Sequence, residues 1–311
     1  MMSNYNVINR TIAKPFLKWA GGKTQLMQQI TSNFPIELEI GIINRYVEPF
    51  IGGGAVYFYV AQNYKIDEFV IADINEELIL CYKTIKRDVQ AVIENLQILS
   101  EKYLGLNEKG REEFYYKQRK IYNTYRVKIN YKRYDESWIE RTAQVIFLNK
   151  TCYNGLFRMN SRGEFNTPFG RYKNPKILDE ENLLSVSNLL KNTKIISSDF
   201  SKTQKYVDNK TFVYLDPPYR PISKTANFTS YSKYEFGNAA QLKLASFYRM
   251  LDDIGAKILL SNSDPQNEDP NDNFFCEQYD GFRIDKVKAS RMINCDAGKR
   301  GQINELLIMN Y

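Results

Sequence analysis

The chain has 311 residues, 43% of them apolar, enough for one large domain or two modest ones around a real core. It contains no histidine, which excludes Ser-His-Asp and Cys-His catalysis, and its cysteines form no C-x-x-C pair, so no metal site is expected. The net charge of +7 is modest for this length, no run of eighteen apolar residues could span a membrane, and "MMSNYNVINR" lacks an apolar signal core, so a cytoplasmic protein without a membrane partner is expected.

The first informative segment is "FLKWAGGKTQL", Phe16 to Leu26. Gly22, Lys23 and Thr24 imitate the end of a phosphate-binding P-loop, but the glycine that must begin such a loop would fall at position 17, which is Leu17. An ATPase or GTPase is therefore set aside. "NRYVEPFIGGGAVYFYVAQ" then reads as a short strand, a glycine turn and a helix. "DEFVIADINEELILCYKTIK" follows as a strand ending at Asp73 and a helix from Asn75. Asp73 lies about twenty residues beyond the glycines, the spacing of an acid that hydrogen-bonds a ribose, although G-G-G is not the strict dinucleotide fingerprint and a purely structural turn remains an alternative.

From Lys86 to about Asn192 the pattern becomes charged, tyrosine-rich and mainly helical. Residues 110–134 carry eight Lys and Arg against two Glu, interleaved with tyrosines. Such a stretch suits a polyphosphate backbone, or equally a solvated helix with a tyrosine core stripe. "IERTAQVIFLNK" reads as an amphipathic helix, and "TCYNGLFRMNSRGEFNTPFGRYKNP" as an extended loop or hairpin presenting side chains. Strands are expected in "TKIISSDF", "KTFVYLDPPY", "GAKILLSNS", "GFRIDKVKAS" and "INELLIMNY", with a helix in "NAAQLKLASFYRMLDDIG". This alternation implies an α/β fold with a doubly wound sheet, residues 1–85 and 193–311, interrupted by a mainly helical insert at 86–192.

"VYLDPPYRP", Val213 to Pro221, is the sharpest signal. An apolar strand ends at Leu215 and delivers Asp216, Pro217, Pro218 and Tyr219 to the carboxyl edge of the sheet, where open α/β sheets bind ligands. The prolines fix φ and leave carbonyls without local N–H partners. A carboxylate and a fixed carbonyl can together accept both hydrogens of one amino group, and the adjacent tyrosine can stack on the ring that bears it. A rigid strand-end turn is the plainer alternative.

Asp-Pro-Pro-Tyr at a strand end, preceded by "EPFIGGG" and "FLKWAGGK", resembles the amino-methyltransferases that use S-adenosylmethionine. With the insert between the glycine motif and Asp-Pro-Pro-Tyr, the order is similar to the Dam family of DNA adenine-N6 methyltransferases, the D12 class of the alpha group. The likeness runs from about Lys14 to Tyr311 and extends to "YNGLFRMNSRGEFNTPFGRYKNP", "KTANFTSY", "SNS" and "RGQINELLIMNY".

That resemblance implies a Rossmann-like methyltransferase sheet carrying a DNA-recognition insert. It implies that Trp19, Lys23, Glu48, Phe50, Gly52, Asp73 and Asp216 hold S-adenosylmethionine, with Asp73 on the ribose, and that "GGKT" belongs to the methyl-donor site. Asp216, Pro217, Pro218 and Tyr219 would form the catalytic loop. A flipped adenine would stack on Tyr219, while N6 bonds to Asp216 and the Pro217 carbonyl and attacks the methyl directly. Tyr153 or Asn154 would fill the gap left in the duplex. Arg158 would read a guanine, Leu156 and Pro168 a thymine methyl, and Lys18 the first base, with Tyr172 and Arg171 also on the DNA. The implied partner is double-stranded DNA at GATC, with a cognate restriction endonuclease acting in the same system without direct binding, and a monomeric enzyme. Competing readings are an RNA or other amino-methyltransferase, a different recognition site, and a catalytically silent DNA-binding protein.

Overall fold

The structure is a computed structural model that describes residues 12–220, 236–290 and 302–311. "KTANFTSY" and Pro221 lie outside the described residues.

Seven strands form one sheet: β1 (Arg45–Glu48), β2 (Glu68–Asp73), β3 (Thr193–Ser197), β4 (Thr211–Leu215), β5 (Lys257–Ser263), β6 (Arg283–Ser290) and β7 (Gln302–Met309). Their order is β3-β2-β1-β4-β5-β7-β6. The first five strands pair in parallel, while β7 runs antiparallel between β5 and β6. The parallel strands are near-continuous apolar runs because helices cover both faces; all of β4 is buried. The connections reverse direction between β1 and β4, which opens a crevice beyond their carboxyl ends. Glu48 ends β1 there, and Asp216 follows β4 directly.

Around the sheet run α1 (Met27–Thr31), α2 (Ile36–Glu39), α3 (Ala55–Asn63), α4 (Glu76–Leu104), α5 (Glu108–Tyr125), α6 (Ser137–Thr151), α7 (Glu180–Leu190), α8 (Asn238–Asp253) and α9 (Phe274–Gln278). The strands and long helices read from the sequence are present. The Asn75 side chain caps α4 by accepting from the Glu77 and Leu78 N–H groups, which is why that helix starts one residue after the cap. α4 continues past position 85 with a break at Asp88 (φ −136°, ψ 49°), so one long helix joins the sheet to the insert.

"IERTAQVIFLNK" differs from its expected amphipathic character. In α6, Arg141, Thr142, Gln144 and Asn149 are buried along with Val145, Ile146, Phe147 and Leu148. The helix is wrapped by α4, α5 and the loop that follows it, and its polar residues serve internal bonds. Arg141 donates from Nε and Nη2 to Glu77 on α4, at 2.6 and 2.8 Å, and from Nη1 to the Tyr122 carbonyl on α5 at 2.5 Å. One apolar cluster runs from Tyr46 and Ile71 of the sheet through Leu80 of α4 to Phe147 and Phe165 of the insert, so the two share a core.

The Arg141–Glu77 pair is buried on both sides, with side chains 1% and 7% exposed. Arg141→Ala strands an uncompensated carboxylate in that core and is expected to cost about 3–5 kcal/mol. Urea denaturation of the two proteins measures it; a loss under about 1 kcal/mol would show the pair to be dispensable.

Candidate active site

The segment before α1 supplies the centre of the site. Gly21 adopts φ +76°, a left-handed conformation natural to glycine, and turns its carbonyl toward the Lys23 side chain. Lys23 is 3% exposed. Its ammonium donates to Asp216 Oδ1 at 2.7 Å, to the Gly21 carbonyl at 3.0 Å and to the Tyr219 hydroxyl at 3.1 Å. A lysine has three N–H donors, and here all three have protein acceptors. Lys23 therefore anchors Asp216 and Tyr219 from below, a role the motif reading did not separate from contact with a ligand.

Asp216 Oδ1 also accepts from Ser261 Oγ at 3.2 Å, and Ser261 shares a 2.9 Å bond with the Tyr214 hydroxyl. Both contacts to Asp216 fall on Oδ1, and the carboxylate keeps 21% exposure. Burial pushes the Asp216 carboxyl above its usual range while the Lys23 ammonium pulls it back. Burial alone would lower the Lys23 ammonium, but Asp216, Tyr219, Tyr214 and Glu305 hold it well above the ordinary lysine value. The two side chains thus form a close, largely buried ion pair, with Nζ 2.7 Å from Oδ1. Of the two prolines, Pro218 has its carbonyl taken by the Gln241 side-chain amide of α8 at 3.1 Å, so the outward carbonyl expected there is satisfied from another element.

Asp73 ends β2 beside the glycine turn. It accepts from Gly52 N at 3.2 Å and Asn75 N at 2.9 Å, and burial still pushes its carboxyl up to about 6. Trp19 lies against the same turn: a Cβ on Gly52 (φ +46°) would stand 2.9 Å from Trp19 Cδ1. Glu48 is only 2% exposed and accepts the Tyr46 hydroxyl at 2.6 Å; burial raises its carboxyl well above the usual range. Phe50 is half-buried, with its ring 5.3 Å from Phe200 and 5.7 Å from Phe236.

The insert meets this centre through its loop. Trp19 stacks on Phe157 at 5.8 Å. Asn149, fully buried at the end of α6, bonds the Lys18 backbone in both directions, at 2.8 and 2.9 Å, and donates to the Gly155 carbonyl at 3.0 Å. Gly155 (φ +66°) faces the Lys18 side chain so closely that a Cβ would lie 2.3 Å from its Cδ. Lys18 Nζ sits 5.1 Å from the centre of the Tyr172 ring. Residues 152–170 form a small hairpin with bridges Cys152–Phe169 and Met159–Phe165. Its rim exposes Tyr153, Asn154 (φ +56°), Arg158, Pro168 and Arg171 (φ +50°), while Leu156 and Tyr172 are half-buried. Asn166 Oδ1 takes Arg158 Nε at 2.9 Å and so steadies the guanidinium.

The basic, tyrosine-rich α5 serves this loop structurally as well. Tyr115 and Tyr122 are core residues. Tyr115 Oη and Arg119 both donate to the Thr167 carbonyl, and Asn123 bonds both backbone groups of Phe165. The sequence reading missed Asn149, Tyr214 and Glu305; only "SNS", around Ser261, and the closing "NELLIMNY" had drawn notice there. The described residues hold no cluster of acids and cysteines able to bind a metal and no helix long and apolar enough to cross a membrane.

Lys23→Met removes the charge that offsets burial, so the Asp216 titration is expected to move upward. Carbon-13 NMR of the carboxyl reads this; an unchanged midpoint would mean that Lys23 does not govern Asp216.

Residues 19–293 match the family model described as D12 class N6 adenine-specific DNA methyltransferase. The chain is 56% identical over 299 residues to the Type II methyltransferase M.MjaIII of Methanocaldococcus jannaschii, covering 96% of this chain and 99% of that one. It is 37% identical to the Type II methyltransferase M1.LlaDCHI of Lactococcus lactis subsp. cremoris, over 97% of each chain, and 32% identical to the DNA adenine methylase of Escherichia coli (strain K12), over 95% of each.

Proposed function

Since the chain belongs to the D12 class of N6 adenine-specific DNA methyltransferases, which move a methyl group from S-adenosylmethionine to adenine in DNA, we propose that the Asp216 crevice is where cofactor and base meet. The observation that carries this reading is the Lys23–Asp216–Tyr219 constellation at the end of β4. The cofactor supplies a methyl group on a positively charged sulfonium. The residues present fit it: Asp73 offers an acceptor for ribose hydroxyls beside the glycine turn, Trp19 and Phe50 offer ring faces, and buried carboxylates suit a cation. Lys23 and Glu48 would act from beneath, through Asp216 and Tyr46.

The exocyclic amine of adenine is a weak nucleophile because its lone pair is delocalised into the ring. Asp216 and the Pro217 carbonyl would accept its two hydrogens, localise that pair on N6 and aim it at the methyl. Asp216 would do this as a carboxylate, the form that the neighbouring Lys23 ammonium favours. Tyr219 would stack on the extruded ring, which repays part of the few kcal/mol needed to unpair and unstack it. Pro217 and Pro218 stiffen the loop that carries these groups.

DNA would lie along the hairpin rim. Arg158, steadied by Asn166, is suited to the O6 and N7 edge of guanine. Leu156 and Pro168 would meet a thymine methyl, Lys18 the first base, Tyr153 or Asn154 the vacated gap and Arg171 a phosphate, with Tyr172 also on the DNA. The proposed target is GATC, the enzyme acts as a monomer, and a restriction endonuclease of the same specificity would share its system without binding it. Residues 1–85 and 193–311 would form the catalytic part, with 86–192 as the recognition insert, a division supported by the break at Asp88.

Transfer of labelled methyl to two duplexes, one with a single GATC and one scrambled, tests this. Label is expected on adenine N6 of the first alone, and Asp216→Ala is expected to abolish it while DNA binding persists. Label on both duplexes would overturn the GATC assignment, and turnover by Asp216→Ala would overturn the assigned site. Arg158→Ala is expected to lose about 1–3 kcal/mol of discrimination at one base pair, read from rates on singly substituted sites.

A further inference from the structure

Glu305 lies in the middle of β7, opposite Ser263 of β5 and Val287 of β6. It is 7% exposed, and its Oε2 is buried with no hydrogen-bond partner among the described residues. A carboxylate oxygen in that state is costly, and a purely structural position would be better filled by an apolar side chain. Glu305 lies next to the polar centre of the site, close enough for its charge to act on Lys23, Asp216 and Tyr219. The Tyr219 oxygen already accepts from Lys23. The phenol's own proton therefore needs another acceptor.

We propose that Glu305 is a positioning residue of the methyl-transfer site: it accepts the Tyr219 hydroxyl proton and, opposite Lys23, pins the tyrosine ring between a cation and an anion. This rests on the reading that Tyr219 stacks on the flipped adenine. A phenol held from both sides cannot swing its ring about the Pro218–Tyr219 linkage, so the base docks against a fixed face. The pinning acts through Tyr219 and not on the cofactor, so its loss appears in kcat more than in the KM for S-adenosylmethionine. Burying this carboxylate is then a stability cost retained for geometry at the site.

The test is a double-mutant cycle on the full-length enzyme. Glu305→Leu and Glu305→Gln are made alone and with Tyr219→Phe, and kcat, KM and the thermal midpoint are measured. Glu305→Leu is expected to lower kcat on the order of tenfold, with KM for S-adenosylmethionine within about twofold and no loss of thermal midpoint. In the Tyr219→Phe background the same change is expected to cost nothing further. Glu305→Gln keeps the side-chain shape and an acceptor oxygen, and is expected to retain most of the rate. Wild-type kcat in Glu305→Leu, an equal loss in both backgrounds, or a Gln variant as slow as the Leu variant would each overturn the inference. Asp216→Ala separates the two levels: if that variant is dead while Glu305→Leu is fully active, only the Glu305 role fails; if Asp216→Ala turns over normally, the assigned site itself fails.

Discussion

The ion pair between Lys23 and Asp216 is the constraint on which the rest of the site depends. The two residues lie 193 positions apart in sequence, one in a glycine turn before α1 and the other at the end of β4. A carboxylate largely withdrawn from water would drift toward neutrality without an opposing charge. A lysine whose every donor is committed to protein groups supplies the opposing charge and fixes where that charge sits. Such pairs add little net stability compared with apolar packing. What this one contributes is a single geometry, extended by Ser261 and Tyr214 on one side and Tyr219 on the other.

Much of this could be read from residues. The apolar strands, the glycine turn, the acid at the end of β2 and the Asp-Pro-Pro-Tyr turn are all local patterns, and local patterns survive in one dimension. The Walker-like letters of "GGKT" lack the P-loop's first glycine, since Leu17 stands in its place. The same letters concealed that Lys23 is buried against Asp216, because no spacing rule relates residues so far apart in sequence.

Other features were illegible for related reasons. In α6 the helical period was visible, but its polar positions were assigned to solvent when tertiary packing had buried them. Arg141 and Asn149 look like surface residues until their partners on α4 and in the Lys18 segment are known. The tyrosines of α5 left two readings open, and the structure divides them by residue: Tyr115 and Tyr122 fill the core, while Tyr125 stays half exposed. Glu305 carried no signal of its own, since an acid within an apolar strand reads as an edge or a solvent face until the sheet order puts β7 inside.

The Asn149 clamp carries a consequence for how such a protein can change. Its three bonds tie the hairpin to the segment that carries Trp19 and Lys23, and the bare backbone of Gly155 makes room for the Lys18 side chain. The hairpin is therefore not an interchangeable cassette. A loop transplanted from a relative would arrive without its matching seat, and would disturb the segment that carries Trp19 and Lys23. If the rim reads DNA as proposed, new specificity is more accessible by exchanging rim residues such as Arg158 and Pro168, which leave that seam intact, than by replacing the loop whole.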